Sequence, residues 1–159
     1  MEKLEQKLSR MGHVLPAPFA YPSPNRIGCV QVGNVVFVSG HGRDLPAGVK
    51  SEGAGKVGAE VTIEEAIISA EAVALSILAS LKQHCGGDLD RVKRVVRIFG
   101  MVNSAPDFEL QPRVIDGASD LFYELFGPEY GQHARSAVGM AALPHRIPVE
   151  INGEFEVWD

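Results

Sequence analysis

Residues 62–84 read TIEEAIISAEAVALSILASLKQH, and residues 92–102 read VKRVVRIFGMV. The first stretch predicts a helix over Ile63 to His84. Thr62 and Glu65 form a capping box, in which the threonine oxygen takes a free amide and the glutamate reaches back to the cap. Ile63, Ile67, Ala70, Val73, Ala74, Ile77, Leu78 and Leu81 make one apolar stripe at helical spacing. Gly86 and Gly87 stop it. The second stretch, dense in Val and Ile, predicts a strand. Such a helix can cover one face of a sheet that holds this strand.

The rest of the chain extends that layer. Ile27 to Val32 and Val35 to Ser39, joined by Gly33-Asn34, read as a β-hairpin. A second helix is expected from Arg113 to Phe126, burying Ile115, Ala118, Phe122 and Leu125 and ending at Gly127-Pro128. Ala134 to Ala142 and Pro148 to Val157 read as two closing strands. The last alternates Val149, Ile151, Gly153, Phe155 and Val157 on one face with Glu150, Asn152, Glu154 and Glu156 on the other. Between hairpin and helix lies a glycine-rich loop, His41 to Glu60, with a short strand expected near Lys56–Val57. Met1 to Gly12 reads as a short amphipathic helix, and Pro16, Pro18, Pro22 and Pro24 make the following arm extended. The expected organisation is one domain over 1–159, with 1–24 as helix and Pro-rich arm. Two helices cover one sheet face, and no segment remains for the other. An oligomer that buries the bare faces is therefore expected; a half-solvated sheet is the alternative.

Composition narrows the function. The 159 residues carry 15 basic and 20 acidic side chains, net −5, which does not favour a duplex nucleic-acid binder. The even spacing of Arg91, Lys93 and Arg97, with Arg94 opposite, offers an RNA backbone a strip, but no aromatic interleaves it. No apolar run reaches the length of a membrane span, and the charged N-terminus does not read as a signal peptide. Cys29 and Cys85 form no CxxC and fit a reducing cytosol. The five histidines show no i, i+4 pair and no HExxH, so no metal is expected. Ser39 lacks a G-x-S-x-G context, and Gly53-Ala54-Gly55-Lys56 lacks the spacing of a phosphate loop.

Arg135 stands out. It sits in His133-Ala134-Arg135-Ser136-Ala137-Val138-Gly139, where small neighbours leave room around a guanidinium suited to a carboxylate. A cross-strand ion pair or a surface charge is the plainer reading. Glu150 follows on the next strand. If the two strands pair, it approaches Arg135, where it could orient a water or move a proton; an ordinary Arg–Glu pair is the alternative.

Several segments together resemble the Rid/YjgF family, also labelled L-PSP or YjgF/chorismate-mutase-like. They are Val32 to Gly40, Gly55 to Gly58, Leu89 to Val96, His133 to Val138, Leu143-Pro144 and Val149-Glu150-Ile151. Val102-Asn103-Ser104-Ala105-Pro106 and Gly117-Ala118-Ser119 resemble a branch with a longer central loop. The resemblance implies an α+β fold: a single mixed β-sheet with two helices packed on one face, chorismate-mutase-like, assembled as a homotrimer with three inter-subunit clefts. It also implies hydrolysis of enamines and imines derived from amino acids to 2-keto acids and ammonia, without a cofactor. Arg135 would bind the substrate carboxylate and Glu150 would place the water. Ser39, Gly40, Ala137, Ser119 and Arg26 would line the cleft. Family members of the deaminase branch carry Tyr near Arg26, Cys at Ala137 and Asn near Ser119; the substitutions here point to a larger or more acidic ligand. The expected partner is a small carboxylate-bearing metabolite in the cytoplasm, with no membrane. The alternatives are a carboxylate-sensing trimer without catalysis and an endoribonuclease of the L-PSP type.

Overall fold

In a computed structural model, which describes residues 1–42 and 54–159, five strands form one sheet. They are β1 (Cys29–Val32), β2 (Val35–Gly42), β3 (Val92–Asn103), β4 (Ala134–Met140) and β5 (Val149–Val157), in the spatial order β1-β2-β5-β3-β4. The pairs β1–β2, β2–β5 and β3–β5 are antiparallel and β3–β4 is parallel, so the sheet is mixed. Three helices accompany it: α1 (Leu4–Arg10), α2 (Ile63–His84) and α3 (Gln111–Gly131).

The capping box of α2 is formed. Thr62 Oγ1 accepts from the Glu65 amide at 3.2 Å, and the Thr62 amide donates to Glu65 Oε2 at 2.8 Å. Helix α3 begins two residues before the expected Arg113, because Pro112 in a first turn removes only an amide that would lack a helical partner anyway. At Gly127 the chain takes φ 77°, breaking the helix where expected, and one more turn follows to Gly131. Helix α1 ends just before Gly12, which takes φ 87°. Of the glycine-rich stretch, 43–53 lies outside the described residues. His41 and Gly42 complete β2, and Val57 makes single bridges to Val61 and Ser104 in place of the expected short strand.

The core lies between the helices and one sheet face. Val36, Ile98, Val102, Ile151 and Phe155 from the sheet meet Val73, Ile77 and Leu81 of α2 and Ile115 and Phe122 of α3. Leu8 of α1 joins the same core. The two long helices approach closely at Gly117, where a Cβ would stand 2.2 Å from the Ile67 carbonyl oxygen. The alternation expected for β5 holds: Val149, Ile151, Gly153, Phe155 and Val157 are all buried.

One connection decides where the candidate site residues stand. Strand β3 feeds α3, which crosses over the sheet and delivers β4 parallel to β3, the usual β-α-β unit. Strand β5 returns on the other side of β3, between it and β2. The two closing strands are therefore not a hairpin; β3 lies between them.

Candidate active site

Arg135 stands on β4 opposite Ile98 of β3, with its side chain on the helix side of the sheet. Its Nη1 donates to Asp116 Oδ1 at 2.6 Å and to Ser119 Oγ at 3.2 Å, both from α3. Asp116 and Ser119 are one turn apart on that helix and so share a face. Both hydrogens of Nη1 are thereby used. The Nε–Nη2 edge has no partner among the described residues.

Ser119 is itself oriented. His133 Nδ1 lies 2.7 Å from the Gly131 carbonyl, so it carries the ring proton there, and Nε2 accepts from Ser119 Oγ at 3.0 Å. The hydroxyl lone pairs are left for the guanidinium. Burial, chiefly, and the Arg135 charge hold His133 below the usual imidazole range, although the Gly131 bond opposes them. Ser119, Tyr123, His133 and Arg135 help line a groove of about 260 Å³.

Glu150 belongs to a second cluster. It stands on β5 opposite Met101 of β3 and Gly42 of β2, pointing away from the helices. A Cβ at Gly40 would lie 2.6 Å from Glu150 Oε2, so the carboxylate occupies space that only glycine leaves. Burial pushes the Glu150 carboxyl above the usual range. Ser39 Oγ donates to the Ile27 carbonyl at 2.5 Å, which fixes the incoming chain and commits the hydroxyl. Arg26 is exposed; it bonds Asn25 Oδ1 at 2.9 Å, and its guanidinium carbon sits 5.9 Å from the centre of the Tyr21 ring. The Tyr21 hydroxyl is buried close to the Ser39 side chain. Its pKa is raised, mainly by burial, which the Ser39 hydroxyl opposes; Cys29 and, less, Glu150 add smaller pushes upward.

The two clusters do not meet within one chain. The approach of Arg135 to Glu150 expected from paired closing strands is corrected by the intervening β3. Arg135 is level with Ile98 and Glu150 with Met101, about 10 Å apart along the strands and about 10 Å apart across them. They also face opposite sides of the sheet. Ser39, Gly40 and Arg26 go with Glu150. Ser119 and Ala137 go with Arg135, Ala137 sharing its face and packing on the core. The expectation that Gly40 and Ala137 line one cleft thus fails inside a single subunit, because β2 and β4 are separated by two strands.

Neither cysteine offers a nucleophile. Burial, with Cys85 nearby, pushes Cys29 up to about 12, and burial also raises Cys85.

The pattern of the family described as "YjgF/chorismate mutase-like, putative endoribonuclease" matches residues 11–147. The chain belongs to this YjgF family. "Protein TCP17" of Trypanosoma cruzi is 42% identical over 156 residues, covering 98% of this chain and 94% of that protein. A structure from Agrobacterium tumefaciens, Atu1372, described as of unknown function, superposes with a TM-score of 0.87 at 37% identity, covering 98% of this chain and 92% of the other. A "putative endoribonuclease" structure from Shewanella oneidensis gives 0.88 at 29% identity, covering 98% and 100%.

The basic residues of β3, the strip an RNA backbone would need, are engaged within the chain. Arg97 makes a two-pronged pair with Glu154 at 2.8 and 3.0 Å. Lys93 bonds Glu156 at 3.1 Å, and Arg94 Nε stands 3.9 Å from the same carboxylate. Two irregularities in the β3–β5 register bring Lys93 and Arg94 to one glutamate, although alternation alone places them on opposite faces. Trp158 near the C-terminus and Tyr130 at the end of α3 do lie against Lys93 and Arg94, contributions that β3 alone could not reveal. The three cations thus have carboxylate neighbours.

Sequence reasoning missed three members of the site: Asp116, His133 and Tyr21. For the first, the i, i+3 spacing of Asp116 and Ser119 on a helix was the available signal. For Tyr21, it was a lone phenol in a proline-rich arm.

Proposed function

We propose that the protein is a homotrimeric deaminase that hydrolyses 2-imino acids in clefts between subunits. The observation that carries this reading is the separation just described: a guanidinium that lines a groove and a partly buried carboxylate, on opposite faces of one sheet. A neighbouring copy, turned so that its β4 edge meets this chain's β2–β5 surface, would bring the two together.

The bare sheet face supports such packing. Val30, Val32, Phe37 and Val138 lie on it with 52%, 67%, 47% and 37% of their surface exposed. Part of that face is already covered within the chain, where Met101, Leu143 and Ile147 form a separate small buried cluster with Phe99 and Met140. Surfaces of this kind are covered by a partner more often than left to water.

The chemistry asks for placement more than for a strong base, since an imine carbon is already electrophilic. The substrate carboxylate rests on the free Arg135 edge and a water rests on Glu150 of the adjacent subunit. The water oxygen bonds to C2, the C=N π pair moves to nitrogen, and Glu150 carries the water proton to that nitrogen. The carbinolamine then passes its hydroxyl proton to nitrogen through the same carboxylate as the C–N bond breaks. The products are a 2-keto acid and ammonia.

The test is ammonia release from 2-iminobutanoate generated in situ by an amino-acid oxidase, beside a native mass measurement. Accelerated release from a species of three times the chain mass is expected. Release at the uncatalysed rate, or an active monomer, would refute the reading.

A further inference from the structure

The Arg135 guanidinium is already paired with a carboxylate of its own chain, and that pairing bears on which anion the groove accepts. Asp116 Oδ1 and Ser119 Oγ together use both Nη1 hydrogens. Three hydrogens remain, two of which form the parallel Nε–Nη2 fork, flanked by a negative charge. Asp116 is half exposed, and its Oδ2 has no partner among the described residues. Asp116 does not line the groove, whose acidic wall residue is Asp120, but its charge sits on the guanidinium that presents the fork there.

Two simple ligands see that pair differently. A 2-keto acid brings one negative charge and nothing to offset it. A protonated 2-imino acid, like an amino acid, brings a carboxylate and, on the adjacent carbon, a cationic nitrogen with hydrogens to donate. A ligand carboxylate on the fork puts that carbon well inside the roughly 8–10 Å over which charges interact in physiological salt. The keto acid is repelled by Asp116, whereas the zwitterion is matched at both ends.

Building on the reading of Arg135 as the carboxylate clamp, we infer that Asp116 sets the substrate class. It selects zwitterionic 2-iminium acids over the corresponding 2-keto acids. The same charge favours discharge of the product, which has lost the cationic nitrogen. His133 and Ser119 keep the arrangement fixed: the neutral imidazole takes the Ser119 hydrogen, so the hydroxyl only accepts from Arg135 and adds no charge to the site.

The test needs no turnover. Binding of 2-aminobutyrate and of 2-oxobutyrate, which share a carbon skeleton, is measured by calorimetry on the full-length protein. The wild type is expected to prefer the amino acid by about tenfold, as partly screened charges at this range allow. Asp116→Asn is expected to cut that preference to about a third or less by weakening the amino acid and strengthening the keto acid, the Asp120 and Glu150 charges holding the remainder; Asp116→Ala should do the same if the amide distorts the site. An unchanged ratio in both folded variants, with binding still lost in Arg135→Lys, would overturn the inference alone. Binding that is absent, or indifferent to Arg135, would overturn the clamp and the inference with it.

Discussion

Arg135→Lys is expected to lower kcat/KM for imine hydrolysis by about 10²–10⁴-fold, the worth of two charge-assisted hydrogen bonds at about 1.5–3 kcal/mol each. The charge is kept, so the loss isolates geometry. An ammonium on a four-carbon stem cannot hold Asp116 and Ser119 with one nitrogen and present two parallel donors with another. Were Arg135 only a structural partner of Asp116, the variant would shift the melting temperature and leave kcat/KM of the folded protein near wild type. Ammonia release and thermal unfolding on the same preparation separate the two outcomes.

Glu150→Gln is expected to reduce kcat by about 10²–10³-fold, the usual scale for losing a positioned proton carrier, with the melting temperature at pH 7 unchanged or higher. The sign follows from burial. The folded-state pKa of Glu150 is raised above its ordinary value, so the folded protein holds the proton more tightly than the unfolded chain. The ionised carboxylate therefore opposes folding above its folded pKa, and that cost vanishes as the pH falls below the unfolded value. Removing the charge relieves the cost at neutral pH. For the same reason the acid limb of the kcat/KM profile should lie above the ordinary glutamate range, since only the ionised form accepts a proton from water. A variant that loses both activity and stability at pH 7 would contradict this assignment.

Much of the fold was legible because local chemistry and the final packing agree. The Thr62–Glu65 capping box, the α2 stripe and the alternation in β5 each state one solution, and each is adopted. The hairpin turn is equally local: Gly33 takes φ 62° between strands paired Val32 to Val35. What could not be read was the order of strands. Nothing in Ala134–Met140 or Val149–Val157 says that β3 separates them; that follows from α3 crossing to one side of β3 while β5 fills the other. The bulges in β3 are likewise tertiary, because they depend on matching Arg97 to Glu154 across the pair. The site was legible in its two poles, Arg135 and Glu150, and illegible in its support. Asp116 and His133 reach Arg135 only once α3 and β4 are packed, and Tyr21 reaches its buried place only when the arm folds back beside Ser39.

The most direct measurement is subunit mixing. Arg135→Lys and Glu150→Gln proteins, each inactive alone, are unfolded together in equal amounts, refolded, and assayed for ammonia release. If each cleft takes its guanidinium from one subunit and its carboxylate from the next, about a quarter of clefts regain both native groups, and activity returns to about that fraction of wild type. Mixed assemblies as inactive as their parents would mean that both groups act from the same chain, and the account would fall.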